Sequence, residues 1–148
     1  MNYSSTLIKD QESLERLQQF LKANKLPATD LKLDRSFLIG YHDSDGKLVG
    51  SGGLEQYGDT GLLRSIAVDE RLRGKSLGKE IVNEIIDKAK QLKIKNLYLL
   101  TETAHAYFLK KGFQDVPREK VPDIIKQTTE FAQVCPASAI VMKLTIKQ

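Results

Sequence analysis

The 148-residue sequence predicts an α/β (α+β) fold in which helices flank one mixed, mostly antiparallel central sheet of about six or seven strands. Hairpin-type turns separate the strand-like runs of the first half, which predicts antiparallel neighbours there. In the second half an amphipathic helix is followed by a buried strand, which predicts a crossover connection. A chain of this length needs only one hydrophobic core, so we predict a single domain over residues 1–148.

The first half of the chain alternates between strand-like and turn-like composition after one early helix. Apolar residues recur at helical spacing from Asp10 to about Asn24. Turn signals lie at Ser44-Asp45-Gly46 and at Gly58-Asp59-Thr60-Gly61, each between two β-rich runs. The strands predicted in this half are residues 4–8, 37–43, 47–57 and 62–68.

The second half carries the strongest helical signal in the sequence. From about Ser76 to Leu92, apolar residues recur every three or four positions with lysine and glutamate on the opposite side, as in a helix that covers a sheet. Gly112 is expected to end a short helix over residues 104–111 in the left-handed conformation. The other elements predicted here are strands at 95–101 and 139–146 and a helix at 119–132.

Charge and cysteine content argue against several classes of function. The formal net charge is +4, but the 23 basic and 19 acidic side chains are interleaved, so we expect no nucleic-acid partner. The single cysteine, Cys135, leaves no intrachain disulfide, and no Cys/His spacing suggests a metal site. The sequence shows neither a signal peptide nor an apolar span of ~20 residues, so we expect a cytoplasmic protein without a membrane partner.

The segment LRSIAVDERLRGKSLGK, residues 63–79, indicates an anion-binding site. A predicted strand runs there through a short basic loop directly into the strongest helix, whose first N–H groups have no helical acceptor. The loop is too short for a Walker motif, and the preceding hairpins do not form the βαβ unit of a dinucleotide fold. The alternative is a basic loop that only caps the helix. The glycines and cations that favour a diphosphate are Arg73, Gly74, Lys75, Gly78 and Lys79.

The run IAVDERLRGKSLG resembles the acyl-CoA diphosphate loop, R-x-x-G-x-[GA], of the GNAT superfamily of N-acetyltransferases, with Ser76 where the family usually has glycine. TETAHAYFLKKGF resembles the superfamily's N-x-x-A-x-x-F-Y-x-K-x-G-F region. The resemblance implies the GNAT acyltransferase fold, acetyl-CoA as cofactor, and two splayed central strands that receive its pantetheine arm. A serine at 76 is able to cap the helix or donate to a phosphate oxygen. The implied CoA-binding residues are Ile66, Val68, Arg73, Gly74, Lys75, Ser76, Leu77, Gly78, Lys79, Thr101 and Phe108.

A narrower resemblance covers nearly the whole chain from Pro27 onward. GLEQYGDTGLLRSIAV, LYLLTETAHAYFLKKGF and EFAQVCPASAIVMKL are similar to GNAT enzymes encoded in arsenic-resistance operons. That resemblance implies detoxification by N-acetylation of a small amino-acid analogue, of the arsinothricin or phosphinothricin type. Two other functions stay open: a protein or peptide N-acetyltransferase, and a catalytically inactive acyl-CoA-binding regulatory domain. The superfamily resemblance also makes a homodimer one option for assembly.

Glu55 and Arg64 are the predicted catalytic residues. An amine attacks a thioester only when neutral, and Glu55, a lone carboxylate in a glycine-rich apolar strand, is the candidate base acting through water. By strand alternation Arg64 shares one face with Ile66 and Val68, where a bidentate grip on a substrate carboxylate is expected. The alternatives are a surface glutamate at a strand end and an internal salt bridge from Arg64, with Glu55 as its partner.

The acid used by many members of the superfamily is missing. Their tyrosine before K-x-G-F, which protonates the leaving thiolate, is replaced by Phe108, and Tyr107 lies about 100° around the helix. A thiolate with a pKa near that of free cysteine, about 8.5, leaves without much help. The resemblance implies the Val68 N–H as donor to the oxyanion. His105 on an exposed helix turn and Cys135 are expected to have no catalytic role.

Overall fold

The computed structural model describes residues 3–26, 28, 31–33, 36–72, 76–128, 131 and 138–147. The strands in these residues are β1 (Ser4–Leu7), β2 (Ser36–His42), β3 (Leu48–Tyr57), β4 (Thr60–Val68), β5 (Asn96–Thr101), β6 (Gln114–Asp115) and β7 (Ile140–Thr145). The α-helices are α1 (Gln11–Ala23), α2 (Leu77–Gln91), α3 (His105–Lys110) and α4 (Asp123–Lys126). The strands form one sheet in the order β1-β2-β3-β4-β5-β7-β6. Only β4 and β5 pair in parallel, so the predicted mixed, mostly antiparallel sheet is confirmed.

The sequence pattern explains both long helices. Asp10 and Ser13 form a capping box at the start of α1, in which the Ser13 N–H donates to Asp10 Oδ1 at 2.8 Å. The predicted apolar stripe of α2 is buried, and its lysines are not. The buried residues of α2 are Leu77, Ile81, Val82, Ile85 and Ala89. Over the described ranges, no helix combines the length and apolar composition that crossing a membrane requires.

The two long helices cover opposite faces of the sheet. Adjacent residues of β2 show this, because Ile39 packs in the apolar cluster that contains α2 and Leu38 packs in the cluster that contains α1. On β4, Leu63 belongs to the α2 cluster, whereas Leu62 packs with Ile125 of α4. Helices α1 and α4 therefore share one face. We call the two sides of the sheet the α2 face and the α1 face.

Strand β4 contains a bulge. Ser51 of β3 pairs with Ala67, but Gly53 pairs with Arg64, so β4 has one residue more than β3 over this stretch. Ser65 takes a positive φ of 61° there. Its carbonyl oxygen accepts a hydrogen bond from Ser51 Oγ at 2.7 Å. The additional residue reverses the alternation of side chains, so residues before and after the bulge change faces.

A wedge opens between β4 and β5. Their parallel pairing begins at Thr60 and ends where Leu62 pairs with Tyr98. Both strands continue beyond this point, β4 to Val68 and β5 to Thr101. The carboxyl ends of these neighbouring strands therefore present edges that are not paired with each other. The splayed pair of central strands that the resemblance implies is present in the fold.

The predicted helix over 119–132 is wrong in its first part. The chain forms a 3-10 turn at Arg118–Lys120 and then the one-turn helix α4. Between them Val121 is extended, with ψ 134°. The cause is Pro122, whose ring disfavours helical backbone in the preceding residue. Residues 129, 130 and 132 of the predicted helix lie outside the described residues.

The other predicted elements are confirmed, with ends that differ by one or two residues. Gly112 has φ 101° and ends α3 as expected. Strand β6 was not predicted, because two residues are too few to show a period of two. The differences at strand ends follow from pairing between strands, which composition does not reveal.

Candidate functional site

Backbone groups of β4 face into the wedge. The Asp69 N–H donates to Val49 O at 2.8 Å, on the side of β3. Alternation along an extended strand turns the peptide N–H of Val68 the opposite way, toward β5. Ile66, two residues earlier and next to the bulge residue Ser65, packs its side chain on the same face of the sheet as Val68. The structure therefore brings Ile66 and Val68 to an edge where an extended ligand can pair with β4.

The amino terminus of α2 lies beside β4. Its first helical hydrogen bond runs from the Glu80 N–H to Ser76 O at 3.1 Å, so the N–H groups of residues 77–79 have no acceptor within the helix. A Cβ built on Gly78 would meet, among the described atoms, only Val68 Cγ2 at 3.7 Å. Within the described residues, Gly78 thus leaves backbone uncovered next to the wedge. Uncovered amides at the positive end of a helix dipole fit an anionic group.

Lysine side chains add positive charge at this end of α2. Lys79 is exposed on the first turn, and the ammonium of Lys111, at the end of α3, donates to Asn83 Oδ1. Burial, and secondarily the charge of Lys79, lower the pKa of Lys111. An anion bound here would relieve the repulsion between the two ammonium groups. The remaining predicted loop residues, Arg73, Gly74 and Lys75, lie outside the described residues.

Ser76 is the N-cap residue of α2, but it does not cap the helix with its side chain. Its backbone is left-handed, with φ 70°, and its hydroxyl makes no capping hydrogen bond. A capping hydroxyl reaches the first turn from extended backbone, so the left-handed conformation directs it elsewhere. The same conformation favours glycine, which is the residue usual at this position in the pattern that the loop resembles. Of the two roles expected for Ser76, donation to a phosphate oxygen is the one that this geometry allows.

Thr101 and Phe108 lie where β5 leads into α3. Thr101 Oγ1 accepts the Ala104 N–H at 3.0 Å, which helps to start α3 and leaves the hydroxyl proton for another acceptor. Phe108 is 6% exposed and packs edge-to-face on Phe113, with ring centroids 5.4 Å apart. Tyr107 is turned outward at 37% exposure, and burial of part of its ring raises its pKa. The hydroxyl of Tyr107 therefore does not replace one at position 108.

A buried polar cluster lies on the α1 face of β3 and β4. Arg64 Nη1 donates to Glu55 Oε2 at 3.0 Å, and the exposed fractions of these side chains are 0% and 10%. Tyr57 Oη donates to Glu55 Oε1 at 2.6 Å. Arg64 Nε donates to Ser65 Oγ at 3.3 Å. Each carboxylate oxygen of Glu55 therefore has its own donor, as a buried charge requires.

The expectation that Arg64 shares a face with Ile66 and Val68 is wrong. Ile66 and Val68 pack against the α2 cluster. A Cβ built on Gly53 would lie 2.9 Å from Leu38 Cδ2 and 3.6 Å from Arg64 Cγ, which places Arg64 on the α1 face. The bulge between them reverses the alternation. The internal salt bridge, the alternative interpretation of Arg64, is present.

His105 is engaged at the protein surface. Its Nε2 lies 2.6 Å from Asp115 Oδ1, which joins α3 to β6. Cys135 lies outside the described residues. In the part of the chain that the structure describes, no three His, Cys, Asp or Glu side chains form a group able to hold a metal ion.

Two residues of the site were not singled out from the sequence, Tyr57 and Ser51. A signal for Tyr57 exists, because the spacing of Glu55 and Tyr57 along one strand places both side chains on the same face. The hydrogen bond from Ser51 to the bulge has no comparable signal. It depends on the register of β3 and β4, and that register is not visible in either strand alone.

Comparison with known proteins identifies the family. The profile described as "Acetyltransferase (GNAT) family" matches residues 6–113. The chain belongs to this family. Acetyl-CoA is the donor in the GNAT family. The fold is shared with N-acetylglutamate synthase from Neisseria gonorrhoeae, solved with coenzyme A and N-acetyl-glutamate, at a TM-score of 0.79 and 16% identity, over 100% of this GNAT chain and 36% of that one.

Two relatives of known name show sequence similarity to this GNAT chain. The citrate (pro-3S)-lyase ligase of Haemophilus influenzae is 32% identical over 108 residues, which are 70% of this chain and 29% of that protein. The amino-acid acetyltransferase of Mycobacterium tuberculosis is 31% identical over 84 residues, 55% of this chain and 48% of that protein. The chain thus spans less than half the length of either relative.

Proposed function

We propose that the chain is an acetyl-CoA-dependent N-acetyltransferase that acetylates the primary amine of a small amino-acid-like substrate. One observation carries the proposal: an uncovered helix terminus at Gly78, a wedge along β4 and a buried carboxylate, Glu55, are arranged around the same strand. The helix terminus lies on the α2 face, the carboxylate lies on the α1 face, and the wedge is the gap in the sheet between β4 and β5. A carrier bound on the α2 face can pass its acyl group through the wedge toward Glu55.

The acetyl-CoA is proposed to lie along α2 and the wedge. Its diphosphate would accept hydrogen bonds from the N–H groups of residues 77–79, favoured by the helix dipole and the charge of Lys79. Its pantetheine amides would pair with the peptide groups of Ile66 and Val68, as an added strand does. Further contacts are proposed from Arg73, Gly74, Lys75, Ser76, Thr101 and Phe108.

Acetyl transfer is proposed as direct attack by the amine in a ternary complex. Glu55 takes a proton from the ammonium of the acceptor through a water molecule, which leaves a neutral amine. The nitrogen then bonds to the thioester carbon, the carbon–sulfur bond breaks, and one of the two protons still on the nitrogen passes to solvent. The Val68 N–H donates to the oxyanion as charge develops on it. The thiolate leaves without a tyrosine acid and takes its proton from solvent, since its pKa is about 8.5.

An amino acid is the proposed acceptor class. Two similar proteins support this class, one an amino-acid acetyltransferase and the other an N-acetylglutamate synthase solved with coenzyme A and N-acetyl-glutamate. Within the class we propose a toxic analogue of the arsinothricin or phosphinothricin type, from the likeness of GLEQYGDTGLLRSIAV and the later segments to GNAT enzymes of arsenic-resistance operons. Arg64 is proposed to act on the acceptor through Glu55, which it holds by an ion pair.

Turnover of acetyl-CoA tests the proposed function. Thiol release is measured with arsinothricin, phosphinothricin, glutamate and other common amino acids, and CoA binding is measured by calorimetry. We expect CoA to bind and at least one amino acid to give saturable thiol release, with the highest kcat/KM for a toxic analogue. Failure to bind CoA would overturn the proposal. Binding without turnover on any amine would favour a regulatory domain, and turnover on peptides alone would favour a protein acetyltransferase.

A further inference from the structure

Two donors hold the carboxylate of Glu55, one on each oxygen. Arg64 Nη1 donates to Oε2 at 3.0 Å and Tyr57 Oη donates to Oε1 at 2.6 Å. The second distance is in the short range that ionised acceptors give to hydroxyl donors. An ionised carboxylate has about four acceptor positions, so about two stay available for a water molecule or an amine.

A single donor would not fix this group. The last torsion of glutamate is broad, so one hydrogen bond to one oxygen lets the other oxygen swing. A second donor on the other oxygen sets the plane of the carboxylate and the direction of its remaining lone pairs. Tyr57 provides that second donor from the same strand and the same face, two residues beyond Glu55.

We propose that Tyr57 is a positioning residue for the acetyl transfer, because its hydroxyl sets the orientation in which Glu55 receives the proton of the acceptor amine. The inference rests on the proposed function and adds to it a residue that does not touch the acceptor itself. Arg64 neutralises the buried carboxylate and Tyr57 orients it. The two partners of Glu55 therefore have different effects when removed.

The protein contains a matched control on the other face of the sheet. Tyr41 of β2 donates to Glu84 of α2, so it forms the same kind of tyrosine-to-glutamate hydrogen bond. Burial, followed by this bond to Glu84, raises the pKa of Tyr41. The pair ties α2 to the sheet on the α2 face and belongs to no part of the proposed catalytic machinery. Tyr41→Phe removes the same atom as Tyr57→Phe, but from a structural bond.

The test compares Tyr57→Phe, Tyr41→Phe and wild-type protein in melting temperature, kcat, KM for each substrate, and the pH dependence of kcat. For Tyr57→Phe we expect kcat to fall about tenfold, which is less than the roughly 100- to 10,000-fold contribution of general base catalysis, because the base stays present but is less well oriented. KM for acetyl-CoA should stay within about twofold of wild type. Tyr41→Phe should lower the melting temperature and leave kcat and the pH profile unchanged.

A double variant separates positioning from stability. In a Glu55→Gln background, Tyr57→Phe should lower kcat no further, since its effect passes through the carboxylate. Equal kcat and equal pH profiles for Tyr57→Phe and wild type would overturn the inference and leave the proposed function intact. An additive loss in the Glu55→Gln background would also overturn it. Wild-type protein that binds CoA but turns over no amine refutes the proposed function itself, and this inference with it.

Discussion

The two faces of the sheet differ in what they bury. On the α2 face, side chains from the helix and from five strands form one continuous apolar cluster. On the α1 face, two separate apolar clusters form around α1 and α4, and the Glu55–Arg64 ion pair is buried at β3 and β4 on the same side. Apolar packing stabilises, whereas a buried ion pair at best offsets its own desolvation. The comparison indicates that the α2 face provides most of the stability of the fold, whereas the α1 face gives up stability to bury the proposed base with its ion-pair partner.

The largest effect should come from removing one charge on the α1 face. Arg64→Ala leaves Glu55 buried without its cation, so we expect the free energy of unfolding to fall by about 3–5 kcal/mol. On the α2 face, Ile85→Val removes one buried methylene group from α2 and should lower the free energy of unfolding by only about 0.5–1.5 kcal/mol. Urea denaturation at equilibrium measures both changes.

A double replacement sharpens the same test. Glu55→Gln with Arg64→Met removes both charges and should recover most of the stability lost in Arg64→Ala, while kcat falls by the roughly 100- to 10,000-fold that a general base contributes. If Arg64→Ala lowered the free energy of unfolding no more than Ile85→Val does, burial of the Glu55–Arg64 pair would not make the α1 face more sensitive to substitution than the α2 face.

Two glycines test the α2 face next. A Cβ on Gly52 would lie 2.7 Å from Ile81 Cγ2, so Gly52→Ala should push α2 away from the sheet and cost about 1–3 kcal/mol. A Cβ on Gly78 would have its nearest described neighbour at 3.7 Å, so Gly78→Ala should leave stability unchanged or slightly raised. Gly78→Ala should instead weaken CoA binding, because the new methyl group covers backbone amides at the start of α2.

Thermal melts and calorimetric titration with CoA distinguish the two glycines. For Gly52→Ala we expect a lower melting temperature and normal CoA affinity per folded molecule. For Gly78→Ala we expect an unchanged or slightly higher melting temperature and weaker CoA binding. Normal CoA affinity in Gly78→Ala would place the diphosphate elsewhere. A stable Gly52→Ala would show that the α2 face tolerates a wider spacing between helix and sheet.

The α2 face was largely predictable from the sequence, for a physical reason. Its cluster is built from residues at the helical period in α2 and from strands bounded by turn signals, and both patterns are local. The helix terminus at Gly78 was predicted in the same way, because glycine and cations precede an apolar stripe. For Ser76 the sequence indicated two possible roles, helix capping or donation to a phosphate oxygen. The left-handed backbone that rules out the capping role is visible only in the structure.

The α1 face was less predictable because it depends on register. Alternation counted along β4 places Arg64 with Ile66, and one additional residue at Ser65 makes that count wrong. The ion pair of Glu55 with Arg64 was predicted only as the alternative interpretation, because it depends on pairing across strands, and the hydrogen bond from Tyr57 along β3 was not predicted. The first part of the predicted helix over 119–132 was wrong for a local reason, because Pro122 keeps Val121 extended although the apolar residues around it have helical spacing.

The smallest of the expected effects concerns the bulge that gives the two faces their different residues. Ser51 Oγ donates to Ser65 O in the buried interior of the sheet, so Ser51→Ala leaves that carbonyl oxygen without this donor and should cost about 1 kcal/mol. Because the bulge also directs Ile66 and Val68 toward the wedge, KM for acetyl-CoA should rise by a few-fold. Ser5→Ala, the same change at an exposed residue of β1, is the control and should alter neither quantity. If Ser51→Ala lost stability without any change in KM for acetyl-CoA, the bulge would serve packing alone, and the shape of the wedge would have to be set by β5.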